Sequence, residues 1–320
     1  MSNPNSTVGQ LLTTTLDNYA PSIIDNITNN HPLLEKLKAK GNIVKKSGGV
    51  TFQEKISYAT NGTVQYQGEY DTYNTTPQDV ISTATFAQKI LTGTVTMTDL
   101  EYAQNAGPEQ IVDLLAEKMK VLEASLSNQI GTSIYADGTG SGGKEVGGLK
   151  LLVSDAPTSG TVGQINRANY SFWQNKLYDF SVESVTPSAT TILAAFNQLY
   201  LRCQAQMGKL PDMIAADSVY FSYFETATQT IQRISSDKIG AMGFDNLKYK
   251  SSDVFFDPEC PAEHAYFINT NNIFMKYLGE SLFTKGVATR PYNQAAYVVP
   301  MTFMGNMTID NARVHGVMHA

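Results

Sequence analysis

Residues Asp137–Gly148 read DGTGSGGKEVGG, and the meaning of this glycine run decides what kind of fold surrounds it. From Gly138 the letters G-T-G-S-G-G-K-E follow the spacing of a phosphate-binding loop, G-x-x-x-x-G-K-[ST], up to the last position. Such a loop works between a strand and the helix after it, where backbone N–H groups and the helix N-terminus converge on phosphate. Here the order is reversed. A helical pattern leads in, and Val146–Val153 leads out as a strand-like run. Position 145 is Glu145, whose charge repels phosphate where a Ser or Thr would hold magnesium. The stretch therefore reads as a flexible turn that reverses the chain, and a P-loop enzyme is the lesser alternative.

The pattern leading in is the clearest in the chain. Gly107-Pro108 opens a helix with Pro in its first turn and Glu109 and Asp113 near the positive end of the dipole. Ile111, Leu115, Met119, Leu122, Leu126, Ile130 and Ile134 recur at spacings of four and three, with Leu114 and Val121 widening the stripe. At 1.5 Å per residue the helix is roughly 40 Å long. That is more than an ordinary globular helix and suggests a spine.

Before the spine, Val8–Tyr19 and Ile23–Leu37 carry short helical patterns broken at Pro21 and Pro32, too short to stand alone. They form an N-terminal arm, residues 1–49. Lys36, Lys38, Lys40, Lys45 and Lys46 make a basic cluster at its end, a candidate contact for nucleic acid by counterion release or, more plainly, a solvated helix end and turn. From Val50 the period changes to two, with Phe52, Glu54, Ile56 and Tyr58 on one side and Thr51, Gln53, Lys55 and Ser57 on the other; neither side is cleanly apolar, as expected of a strand exposed on both faces. A tip rich in Asn, Gly, Thr and Tyr follows from Asn61 to Thr76, and Val80–Thr98 returns as β-branched and aromatic segments. Residues 50–100 thus read as a long hairpin with little core of its own, marginal alone in water. Tyr66, Tyr70 and Tyr73 on its tip are candidate subunit contacts, since aromatics are enriched at interfaces.

After the glycine turn, Ser154–Gly163 is a loop and Asn169–Tyr178 holds the sole tryptophan, Trp173. Thr191–Met207 and Val219–Ile234 have helical spacing. Pro211–Ala216, Leu247–Tyr249, Asp253–Asp257, Ala265–Asn269 and Ile273–Leu278 read as strands. This gives a mixed α/β block over 188–290, after a unit over 101–187 built on the spine. Residues 291–320 alternate as a strand returning to the sheet beside the spine.

Composition excludes several classes. With 42% hydrophobic residues among 320 the chain can build a core, and with 16% charged residues and a net charge of −6 its surface is weakly acidic. That balance argues against a dedicated nucleic-acid binder. No run of about 18 apolar residues is present, so no membrane span is expected, nor is a signal peptide. An extracellular β-rich adhesin is disfavoured by that missing export signal. Cys203 and Cys260 suggest no disulfide framework. Cys260, His264, His315 and His319 can be drawn as a zinc site, but Pro261 breaks the helical spacing such a pair needs, and no metal is expected. No G-x-S-x-G elbow or local Cys–His signature occurs, so no catalytic residue and no cofactor is assigned.

The order of parts resembles the major capsid proteins of tailed bacteriophages, whose fold is named after phage HK97. NHPLLEKLKAKG at 30–41 followed by SGGVTFQEKISYATNGTVQYQGEYD at 47–71 is similar to the arm and extended loop of one capsid subgroup. GPEQIVDLLAEKM at 107–119 and YADGTGSGGKEVGGLKLLV at 135–153 resemble its spine helix and turn. VGQINRANYSFWQN at 162–175 resembles its V-G-G-I-[DN]-R…W segment, with Gln164 where Gly is expected and Gln174 after the tryptophan. FDNLKYKSSDVFFDPECPAEHAYFINTNNIFMKYL at 244–278 resembles its axial-domain strands, including the Y-F-[IL]-N-T phrase.

The resemblance implies an α+β HK97-like fold: arm, extended β-hairpin loop, peripheral domain with a long spine helix, and axial α/β domain. It implies a coat protein that assembles through hexamers and pentamers into an icosahedral shell around double-stranded DNA, in the host cytoplasm. It further implies a portal, weak non-specific contact with the packaged DNA, an interior-, scaffold- or DNA-facing role for the cluster Lys36, Lys38, Lys40, Lys45 and Lys46, and room for a decoration protein. Because the spine starts near residue 108, no long scaffolding domain precedes it, and a separate scaffolding protein is expected. An encapsulin-like compartment, which shares the fold, is the alternative within self-assembly.

Overall fold

Pro32 at the first helical position, with Leu33, Leu34 and Leu37 on one face, starts helix α1 (Pro32–Ala39), which buries that face. A computed structural model describes residues 31–104, 114–204, 209–228 and 246–320. The arm before His31, the spine opening at Gly107–Pro108 with Ile111, and the helix ends expected at Met207 and Ile234 lie outside the described residues.

The chain continues through strands β1 (Ile43–Lys46), β2 (Thr51–Ser57), β3 (Ile81–Ala87) and β4 (Lys89–Thr98), then helices α2 (Asp99–Gln104) and α3 (Leu114–Ser133). A two-stranded β5 (Thr161–Val162) and β6 (Ile165–Asn166) precede β7 (Lys176–Asp179), helix α4 (Ile192–Gln204), β8 (Met213–Ala216) and helix α5 (Ser218–Thr228). Strands β9 (Asn246–Tyr249), β10 (Ser252–Phe256), β11 (His264–Ile268), β12 (Ile273–Leu278), β13 (Thr284–Lys285), β14 (Ala296–Ile309) and β15 (Gly316–His319) complete it.

Two sheets organise these elements. The first is built on β14: β4 runs along one edge, from Ala296↔Thr98 to Gly305↔Lys89, while β13 and β12 share the other, and β1 joins β12 in parallel. The second has the order β7-β15-β11-β8-β10-β9. Its central strands are covered on both faces, as near-continuous apolar strands require. Met213, Ala215, Tyr266, Ile268 and Val317 enter one core with α1 and the hairpin base. Their alternates Ile214, Ala216, Ala265, Phe267 and Met318 enter a second core under α4 and α5.

The spine helix lies on β4, where Met119 and Leu126 bury against Val95, Val299 and Met301. Gly93 in β4 permits this approach, since a Cβ there would sit 2.4 Å from Leu122 Cδ1. Leu122 itself is only half-buried, and Val121 is 42% exposed, so Val121 does not widen the stripe.

The glycine run caps the spine. Gly148 N–H donates to Ala136 O at 3.1 Å and Leu149 N–H to Ile134 O at 2.6 Å, which satisfies carbonyls left over at the helix end. A Cβ on Gly148 would lie 2.3 Å from the Ser133 and Ile134 carbonyl oxygens. Val146–Val153 is therefore not a strand: Leu149–Leu152 forms one helical turn against the spine terminus.

The hairpin is shorter than the sequence reading. β2 pairs β3 from Thr51↔Ala87 to Ser57↔Ile81, and the chain then leaves it after Gln88, so that Lys89–Thr98 joins β14. Nor is it exposed on both faces: Phe52, Ile56, Ala84 and Phe86 are buried in the first core. The reason is the single inward parity of Phe52, Glu54 and Ile56, which a core can cover while Gln53, Lys55 and Ser57 stay wet. Strand pairing also crosses the linear units, since β12 lies in the sheet of β14 while β7 and β15 join the other.

Candidate functional site

The hairpin divides into an anchored base and a projecting tip. At the base, Glu54 points inward with Phe52 and Ile56, where its carboxylate pairs with Lys276 of β12 and accepts from Thr308 Oγ1 of β14 at 2.5 Å. Both partners of the ion pair are deeply buried, with side chains 6% and 12% exposed for Lys276 and Glu54. This charge pair fixes the hairpin to the middle of the first sheet. The β5–β6 turn braces it from the side, with Thr85 N–H donating to Gly163 O at 2.9 Å. Gln164 in that turn has φ +64°, the left-handed conformation that explains why Gly is the expected residue there.

Beyond Tyr58, whose N–H bonds Val80 O at 3.1 Å, the tip has no regular pairing. Its hydrogen bonds are local turns: Asn61 Oδ1 accepts from Thr63 N–H at 2.9 Å, Asp71 Oδ2 from Gly68 N–H at 2.7 Å, and Asn74 Oδ1 from Thr76 N–H at 3.1 Å. Tyr66, Tyr70 and Tyr73 are 107%, 96% and 83% exposed, so their rings touch almost nothing of their own chain. Three exposed rings thus stand on one loop, uncovered by the described residues.

The five lysines separate. Lys36 Nζ donates to Asp253 Oδ2 at 3.0 Å and to Asp212 O at 2.7 Å, and Lys40 pairs with Asp212, so these two clamp α1 onto the ends of β8 and β10. Burial alone would raise the Asp212 carboxyl, but hydrogen bonds from Lys40 and Thr270 and the Lys36 charge bring it below its ordinary value. Lys38 is exposed, 4.0 Å from Glu35, while Lys45 is exposed and Lys46 half-buried on β1. Among the described residues Lys45 and Lys46 have no ion-pair partner, and Lys38 has the long contact to Glu35.

The residues drawn as a zinc site do not converge. His315 is buried, its Nδ1 accepting from Asn269 N–H at 3.2 Å, and burial lowers its pKa to about 3. His264 Nε2 faces Asp155 Oδ2 at 3.2 Å, and its ring stacks on His319 at 5.7 Å. Among the described residues no group of three or more His, Cys, Asp or Glu is placed to hold a metal ion. Cys203 and Cys260 are free and buried, and burial pushes the Cys203 thiol up to about 12, the opposite of nucleophile activation. In the glycine run Lys144 is exposed and follows a four-residue turn with left-handed residues inside, not a strand leading to a helix.

Sequence reasoning missed the Glu54–Lys276 pair. The available signal was parity: Glu54 alternates with Phe52 and Ile56, and Lys276 stands inside the apolar strand IFMKYL.

The fold so described is α+β, with two sheets, a spine helix and a hairpin thrown out from the body. The cyanophage A-1(L) capsid aligns with it at a TM-score of 0.72 and 14% identity, over 95% of this chain and 96% of that one. The capsid of phage XM1 aligns at 0.58 and 11%, over 98% of this chain and 100% of that one. An encapsulin from Synechococcus elongatus aligns at 0.59 and 9%, over 98% and 96%. No protein-family model matches the sequence, and no curated protein matches it. The chain has the HK97-type fold of tailed-phage major capsid proteins.

Proposed function

We propose that this chain is a coat protein that assembles through hexamers and pentamers into an icosahedral shell around double-stranded DNA, with a structural and not a catalytic role. The observation that carries this reading is the tip of residues 58–80, which exposes three tyrosines on a base held by a buried ion pair. In that assignment residues 1–49 are the arm, 50–100 the extended loop, 101–187 and the returning 291–320 the peripheral domain, and 188–290 the axial domain. Tyr66, Tyr70 and Tyr73 contact a neighbouring subunit. Lys38, Lys45 and Lys46 offer weak contact to DNA or to a separate scaffolding protein, and Lys36 and Lys40 serve α1. A portal and a decoration protein complete the partners, and assembly takes place in the host cytoplasm.

Electron microscopy of particles purified from cells making the chain with its scaffolding protein tests the proposal. Closed shells that protect DNA from nuclease are the expected result, and aberrant or unassembled material is expected from the chain alone. A monodisperse monomer under both conditions refutes it. The likeness to an encapsulin favours one second reading, a shell around a protein cargo. Particles holding one enriched protein and no nucleic acid decide for it.

A further inference from the structure

Beneath the hairpin, where β2 meets the body, a cleft of about 420 Å³ opens between Lys55 and Tyr58 of the hairpin and Phe172, Lys209, Asn272 and Arg313 of the body. That volume falls in the range of sites that enclose a small ligand or a few residues of peptide. Three cations line it, and the ring of Tyr58 lies 5.8 Å from that of Phe172, which in turn lies 5.7 Å from Tyr170, giving an aromatic wall. Its acid, Asp310, accepts from Asn272 Nδ2 at 2.6 Å, and burial raises its pKa. Two buried polar atoms of lining residues have no partner among the described residues: the Arg313 Nε donor and the Asn272 Oδ1 acceptor, Asn272 being 4% exposed. Buried groups of this kind are ordinarily satisfied. The cleft thus presents cations, a spare donor, a spare acceptor and flat rings.

The complementary chemistry is on the same chain. Residues 56–88 hold Glu69, Asp71 and Asp79 and no Lys or Arg, and Glu69-Tyr70-Asp71 puts one exposed ring between two carboxylates. Asp79, near the base, hydrogen-bonds Tyr58 of the cleft wall, whereas the bonds given for residues 61–76 are to their own turns, so Glu69, Tyr70 and Asp71 do not enter their own cleft. We infer that the Glu69-Tyr70-Asp71 tip of one copy seats in the Lys55–Lys209–Arg313 cleft of a second copy, with Tyr70 against Phe172 and Tyr58. This rests on the coat-protein reading and names the partner surface its tip would use. Carboxylate meets guanidinium and ammonium, Arg313 Nε gains an acceptor, and Asn272 Oδ1 gains a backbone N–H or the tyrosine hydroxyl.

The test uses Trp173, the sole tryptophan, which lines the cleft and donates Nε1–H to Val162 O at 2.9 Å. A synthetic peptide of residues 64–74 titrated onto the purified full chain should change Trp173 emission saturably, more weakly as salt rises. The peptide with Glu69→Lys and Asp71→Lys should bind at least tenfold more weakly. On a chain carrying Lys209→Glu and Arg313→Glu the order of the two peptides should invert. Lys209→Glu alone, at an exposed position, gives a smaller loss and serves if the double variant does not fold. No saturable response, or equal responses from both peptides, overturns the inference. A response to inorganic phosphate but not to the peptide also overturns it, in favour of a phosphate ligand. Particle formation is scored separately. Normal particles from the Glu69→Lys/Asp71→Lys chain sink the seat and leave the coat reading standing. Saturable peptide binding by a chain that never forms particles does the reverse.

Discussion

Replacing Glu54 with Leu should be among the most damaging single changes at the hairpin, because its side chain is buried at 12% exposure against Lys276 and Thr308. The change removes the counter-charge of Lys276, whose side chain is 6% exposed and lies in the middle of β12, between β1 and β14. A buried cation left without its partner costs about 3–5 kcal/mol, a large share of an ordinary domain's ~5–15 kcal/mol. The reciprocal Lys276→Met falls at the low end of that range, because Glu54 keeps the Thr308 hydroxyl and more solvent. Replacing both together puts apolar groups of similar size in the slot and should lose less than ~1 kcal/mol, since exchanging a whole buried pair is often neutral. Urea titration of all four chains, followed through Trp173 fluorescence, gives the cycle. A coupling of several kcal/mol and the ordering Glu54→Leu, then Lys276→Met, then the double variant are expected. Additive single losses, each below about 1 kcal/mol, would refute the claim that this pair fastens the hairpin.

Three further outcomes can be checked. His315 is neutral when folded, with its pKa lowered to about 3 by burial, so the unfolded chain binds a proton that the native one refuses. Stability should therefore fall by about 1.4 kcal/mol per unit as pH drops below 6.5, and His315→Asn, measured by urea midpoint between pH 6.5 and 5, should show a shallower slope than the parent chain. His264 acts in the opposite sense near pH 6.5: burial lowers its pKa, but the Asp155 hydrogen bond raises it overall, so it adds stability as pH falls toward the unfolded value. The readout is therefore the difference in slope between the parent and His315→Asn, in which the His264 contribution cancels. Leu126→Asp, at a site 4% exposed, should abolish soluble folded protein, whereas Leu122→Asp, half-buried, should weaken folding less, as judged by circular dichroism. Gly148→Ala should lower the melting temperature by several degrees, because its Cβ would meet two backbone oxygens that cannot move independently of the spine.

Local chemistry made much of this fold legible. The short apolar runs in Pro211–Ala216, Asp253–Asp257, Ala265–Asn269 and Ile273–Leu278 marked β8, β10, β11 and β12, and Glu145 and the helix leading into the glycine run marked it as a turn. What the sequence hid was partnership at a distance. Lys89–Thr98 reads as a strand, but nothing in it says that its neighbour is Ala296–Gly305 and not Thr51–Ser57. A run as short as Val146–Val153 fits a strand or a buried helical turn equally well by period, and it is helical because the spine's free carbonyls need donors. The tip tyrosines were visible as candidates because polar loop residues around them left no core to enter. The cleft of Lys55, Lys209 and Arg313 was not, since its walls come from segments more than 100 residues apart.

A subunit that must add to many neighbours and still correct errors needs strong internal bonds next to weak external ones, and the hairpin separates the two by position. Its base is fixed by seven backbone pairings, four buried side chains and an ion pair, so the direction in which the tip leaves the body is set before any contact forms. That preorganisation removes part of the ordering cost of association. The tip itself contributes nothing to the core, and each exposed tyrosine carries about 150–250 Å² that only a partner can cover. At ~25 cal/mol per Å² that is several kcal/mol gross per ring, of which about 0.5–1.5 kcal/mol is lost to ordering the side chain. Replacing Tyr66, Tyr70 and Tyr73 together with Ala should therefore leave the urea midpoint of the subunit within experimental error while abolishing or deforming particles under the electron microscope. A fall in subunit stability would place the rings inside the fold, and normal particles would remove them from the contact surface.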